Sequence, residues 1–228
     1  IRMDSRVIAR AYESLIKALE FETGSFGRVI SKEEEKGWLS EQLNIIGILE
    51  KGSKEISHPA INVKIKKDLE WFRVHGRYEE LKNSVTKLLE SIKEDYEFRL
   101  YRAIFYSIHD FEDVEDHNLD KAQEIADKEC KEVVDLIIQH ENTPEKIFTK
   151  LNYVLEKLDK CNMAVAQGYL FSDISRYYPK IAITLIRIII ANPNARITNF
   201  LSQFIWRLNN SDSKAELAKL LKEAISTK

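Results

Sequence analysis

The sequence predicts an all-α fold, and three observations carry that expectation. Apolar residues recur at helical spacing along most of the chain, as a series of helices each burying one face requires. Seven glycines and four prolines in 228 residues are too few for the many turns of a sheet-rich fold. The turn and capping residues that do occur sit where helices start or stop. Together they describe roughly ten helices with short connections.

The first helix spans 4–22, with Asp4 or Ser5 as cap and Val7, Ile8, Ala11, Leu15, Ile16 and Leu19 as its stripe. Gly24 and Gly27 break it. Ser31 with Glu34 forms a capping box, because each side chain satisfies a backbone N–H at the other's position. The helix it opens carries Trp38, Leu39, Leu43, Ile46 and Leu49 and stops at Gly52. Pro59 opens the next helix, whose stripe is Ile61, Ile65, Leu69 and Phe72 and whose end is Gly76. Tyr78, Leu81, Val85, Leu88 and Ile92 make an amphipathic helix. Residues 95–109 are apolar on most of their circumference, the mark of a central helix.

Beyond an acidic stretch, Asn118 and Asp120 open a long helix to about His140. Thr143-Pro144 starts another, carrying Ile147, Leu151, Val154, Leu155 and Leu158. Four segments follow, at 164–177, 179–191, 195–209 and 213–226, with Ser213 and Glu216 as a second capping box.

The 35 basic and 37 acidic residues nearly cancel to a net charge of −2, so no global field attracts nucleic acid or an acidic membrane. The longest apolar run, Ile181 to Ala191, contains Thr184 and Arg187 and falls short of the ~20 residues of a membrane span. Cys130 and Cys161 lack CxxC spacing and read as buried free thiols of a reducing, cytoplasmic compartment. The Lys/Ile/Glu-rich, proline-poor composition suggests a bacterial source. The start at Ile1 suggests a single helical-repeat domain, 1–228, excised from a larger protein, with a subdivision near 110–117.

Helix starts in the last third are about 17 residues apart, giving helix pairs of about 35, a size that fits stacked antiparallel hairpins in an α-solenoid array. Tyr178-Pro179-Lys180-Ile181-Ala182 through Asn192-Pro193-Asn194 is a proline-started apolar helix followed by an Asn/Pro turn. In this the chain resembles a degenerate HEAT-like α-solenoid. The resemblance implies a non-enzymatic interaction or scaffold module, binding a protein partner or neighbouring domains of a larger chain, with no cofactor. One form is the sensor or scaffold arm of a multidomain protein.

Three constellations invite more specific chemistry. His75, the pair His109-Asp110 and Asp173 resemble in outline the HD superfamily of metal-dependent phosphohydrolases, which are all-helical. The resemblance implies that these four residues ligate a divalent metal, which activates water and screens phosphate charge. Glu112-Asp113 stand where that family commonly carries Gly-Lys, and His75 directly precedes the helix-ending Gly76. The bland alternative has His109 and Asp110 simply ending a helix.

The acidic stretch Asp110, Glu112, Asp113, Glu115 and Asp116 suggests calcium. A loop register begun at Asp113 nevertheless puts Asn118 where glycine belongs and Lys121 at a ligand position. Lys64, Lys66, Lys67, Arg73 and Arg77, interleaved with Trp71 and Phe72, form a basic-aromatic run of the kind that tracks a phosphate backbone. Asp68 and Glu70 dilute it, and Phe72 belongs to the buried stripe. Tyr169, Phe171, Tyr177, Tyr178 and Trp206 concentrate aromatics in the last third, as interface anchors or as core.

Overall fold

The prolines and caps place the helix starts much as the sequence implies. In the computed structural model, which describes residues 4–20, 31–56, 58–105, 119–163, 165 and 168–226, Pro59, Pro144 and Pro179 each occupy the first helical position. There the missing N–H costs nothing. Thr143 Oγ1 accepts the Lys146 N–H at 3.3 Å. Ser31 and Glu34 close their box with bonds of 3.0 and 3.2 Å. Asp4, rather than Ser5, caps the first helix by accepting the Arg6 N–H at 2.9 Å.

Among the described residues there is no strand. The first four helices are α1 (Ser5–Glu20), α2 (Lys32–Ile56), α3 (Pro59–His75) and α4 (Glu79–Ser91). They are followed by α5 (Tyr96–Phe105), α6 (Leu119–Glu141), α7 (Pro144–Lys160) and α8 (Tyr169–Tyr177). Then come α9 (Pro179–Ala191), a 3₁₀ segment (Arg196–Phe200), α10 (Leu201–Asn209) and α11 (Lys214–Ser226). The chain divides into two compact units, Ile1–Phe98 and Arg99–Lys228. Residues 110–117, where the sequence suggests a subdivision, lie outside the described residues, as does the Gly24–Gly27 break.

Several boundaries differ from the sequence reading. α2 runs through Gly52 to Ile56; a helical glycine costs only about 1 kcal/mol against alanine, less than the contacts on either side return. α8 begins at Tyr169, five residues late, because Gly168 before it is left-handed at φ 67°. A Cβ on Gly168 would lie 2.9 Å from the Phe200 ring, so only glycine fits that turn. The segment expected over 195–209 is a 3₁₀ turn leading into α10.

In the first unit α1 packs on α2 and α3, α2 on α3 and α4, and α3 on α4. The stripes of α3 and α4 are buried as their spacing implies. In α1 the core face is Ile8, Tyr12, Ile16 and Leu19, while Val7 is 56% exposed. Gln42 takes a place on the buried face of α2 beside Ile46 and Leu49, and its amide donates to the Leu19 carbonyl at 3.4 Å. That bond serves one of the carbonyls left over at the end of α1.

In the second unit α6 packs on α7 and α8, α7 on α9, α8 on α9 and α10, α9 on α10 and α11, and α10 on α11. The 3₁₀ segment lies against α7, α9 and α10, with the Ile197 N–H donating to Asn152 Oδ1 at 3.2 Å. Within each unit, then, an α-helix meets its successor or the helix after that. The central helix of the second unit is α9, whose Ala182, Ile183, Leu185, Ile186 and Ile189 are buried. The sequence expects a central helix at 95–109; α5 buries Phe98, Leu100, Tyr101 and Ile104, and its other residues are half-buried. Its Arg99 and Arg102 reach Glu132 and Glu129 of α6 at 2.8 and 3.6 Å. Cys130 and Cys161 are both buried and form no disulfide. No described helix is long and apolar enough to cross a membrane.

Candidate functional site

The residues nominated for metal chemistry are only partly within view. His75 is the last residue of α3 in the first unit, exposed, with its ring 5.5 Å from that of Trp71. Asp173 belongs to α8 in the second unit, where it faces Cys130 of α6. His109 and Asp110 lie outside the described residues, as does the acidic stretch that follows them. Among the described residues no three His, Cys, Asp or Glu side chains gather to hold a metal ion.

Asp173 takes part in a polar seam between α6 and α8. Burial pushes the Cys130 thiol well above its ordinary range, and the neighbouring Asp173 carboxylate, as charge and as hydrogen-bond acceptor, pushes it further. A thiol held protonated in this way is a poor nucleophile. Arg176 grips Asp127 with two bonds of 3.0 and 3.2 Å, and the Tyr177 hydroxyl donates to the Asp127 carbonyl at 3.4 Å. The Tyr178 hydroxyl donates to Asp135 at 2.9 Å, beside Lys131 at 2.6 Å. Those bonds hold the Asp135 carboxyl below its ordinary value, the lysine contributing most. Phe171 is core, its ring stacked on Phe200 at 4.6 Å and close to Phe204 at 5.6 Å. Of the aromatics in this third, Tyr169 and Trp206 stand exposed, at 42% and 62%.

The basic-aromatic run of α3 is electrostatically compensated. Lys64 pairs with Glu13 at 3.2 Å, Lys66 with Glu94, Arg73 with Glu70, and Arg77 with Glu35 at 3.0 Å. Lys64, Lys66, Arg73 and Arg77 each face a carboxylate, which offsets the field a phosphate backbone would follow. Trp71 and Val74 remain exposed while Phe72 is buried. Asp68 sits deeper, accepting the Tyr12 hydroxyl at 2.9 Å. Burial raises its carboxyl above the ordinary value, and the Tyr12 bond and Lys64 offset part of that shift.

Two cavities open in the first unit. One, of about 240 Å³, is lined by Val7, Ala11, Leu15, Ile48, Gly52 and Ile61, with His58 and Tyr12 among its polar neighbours. The other, of about 220 Å³, is polar and is lined by Lys54, Pro59, Ser91, Lys93, Asp95 and Phe98. Ser53 and Asn62 line both. Neither cavity is apparent in the sequence, because each depends on how three helices approach one another. The one signal was the breadth of the apolar arc on α1, wider than a single neighbour covers.

Set against known proteins, the chain matches no family model, no curated protein and no solved structure.

Proposed function

We propose that the chain is a non-enzymatic interaction or scaffold module of the helical-repeat, HEAT-like kind, binding a protein partner or neighbouring domains. The observation that carries this reading is the order of packing, in which helices in each unit meet the next or the next but one. Stacked hairpins produce that order, since each pair covers only its neighbours and leaves its outer faces free. Exposed Trp206 and Tyr169 in the second unit and Trp71 in the first are residues of the type that anchor interfaces.

Site-specific photo-crosslinking in the source cell tests this. A photoreactive residue at Trp206 or Trp71 is expected to give discrete protein adducts that excess unmodified chain suppresses. The same residue at Glu90, exposed on α4, serves as the control. Equal, unsuppressed labelling at all three positions overturns the reading.

A further inference from the structure

The two cavities of the first unit differ in chemistry and share a wall. The apolar one is bounded by Val7, Ala11 and Leu15 of α1, Ile48 and Gly52 of α2, and Ile61 of α3. The polar one lies where α2 ends, α3 begins and α4 ends, and Ser53 and Asn62 belong to both. Together they reach the size of an ordinary small-ligand pocket, ~300–1,000 Å³. We propose that they form one binding site for a medium-chain acyl carboxylate, the alkyl chain in the apolar cavity and the carboxylate in the polar one.

Charge selects the head group. Of the ionisable groups lining the polar cavity, Lys54 is held by Glu50 at 2.6 Å, and Asp95 accepts the Phe98 N–H at 3.0 Å. Lys93 enters no ion pair among the described residues. Pro59, the first residue of α3, also lines this cavity, and the positive end of a helix dipole favours an anion there. A cationic head meets two ammonium groups against the one Asp95 carboxylate, whereas a carboxylate head can pair with Lys93. The apolar cavity selects the tail, since apolar side chains of α1, α2 and α3 line most of it. An alkyl chain fills it without leaving polar groups unsatisfied. This site stands apart from the interaction surface proposed above and does not depend on it.

Titration calorimetry with octanoate, decanoate and the matching alcohols tests the assignment. Affinity is expected to rise about fourfold for each added methylene, and the carboxylates are expected to bind more tightly than the alcohols. Gly52→Leu is the decisive variant. A Cβ there meets nothing within 4 Å, so the new side chain grows into the cavity while helix propensity improves. It is expected to weaken decanoate at least about tenfold with the thermal midpoint kept or raised. Ala11→Leu, on the exposed side of α1, repeats the test should Gly52→Leu fail to fold. Lys93→Ala is expected to weaken the carboxylates about threefold and leave the alcohols unchanged. No saturable binding by the native chain, or undiminished binding by both filled variants, overturns the site. Equal binding of acid and alcohol, untouched by Lys93→Ala, overturns the anionic head group.

Discussion

In the second unit the most apolar helix, α9, packs on α7, α8, α10 and α11, and its inward residues are fully covered. In the first unit α1 packs mainly on α2 and α3, and a second apolar strip, Val7, Ala11 and Leu15, lines a cavity. Both helices are rich in apolar residues; what differs is the number of neighbours available to cover them. Among the described residues α9 has packing partners both earlier and later in the chain, whereas those of α1 are the later helices α2 and α3. The apolar cavity of the first unit is lined by that strip of α1.

Truncating the core on either side of this contrast has the largest expected effect. Phe204, fully buried on α10 with its ring near Phe171 of α8, is expected to cost about 3–5 kcal/mol as Phe204→Ala. Val7→Ala, at a residue 56% exposed, is expected to cost under about 0.5 kcal/mol. Urea unfolding of both variants measures the difference, and comparable losses would erase the distinction between the two units.

Gly168→Ala comes next. The left-handed φ and the approach to Phe200 are expected to cost about 1–3 kcal/mol. A thermal midpoint equal to the parent's would mean that the turn before α8 relaxes freely.

The smallest effect concerns Asp68 in the first unit. Its folded-state pKa is raised by burial, so the folded chain holds this proton more tightly than the unfolded one. Its contribution to stability therefore falls as pH rises from the ordinary carboxylate value through the raised one. Asp68→Asn, which keeps an acceptor for the Tyr12 hydroxyl, is expected to remove that fall. Unfolding midpoints from about pH 4 to pH 7 read it directly, and a parallel pH dependence in parent and variant would refute the assignment.

How much of this was legible in the sequence varies from helix to helix. The stripes of α3 and α7 could be read residue by residue, since each carries one apolar face with a proline start. On α1 the apolar arc is too wide for periodicity to say which half meets the core, and the structure chose Ile8, Tyr12, Ile16 and Leu19. Gln42 was missed because a polar residue on a buried face is recognised only once its partner, the Leu19 carbonyl, is in place. The basic run was visible as cations, but the carboxylates that answer Lys64 and Arg77 lie on α1 and α2, far away in sequence. Glycine misled at position 52 and informed at position 76, where a Cβ would lie 2.4 Å from the Phe72 carbonyl. The cavities depend on helix placement and leave no local pattern.

Native-state hydrogen exchange tests the central claim, that each unit is a series of helices packed on near neighbours. In such a series stability is graded, highest in the middle and lowest at an end with one side uncovered. Within the second unit, the amides of α9 are expected to exchange most slowly and those of α11 considerably faster, each opening at its own free energy. Uniform protection from α6 through α11, lost in one cooperative step, would contradict the account and indicate a closed bundle instead.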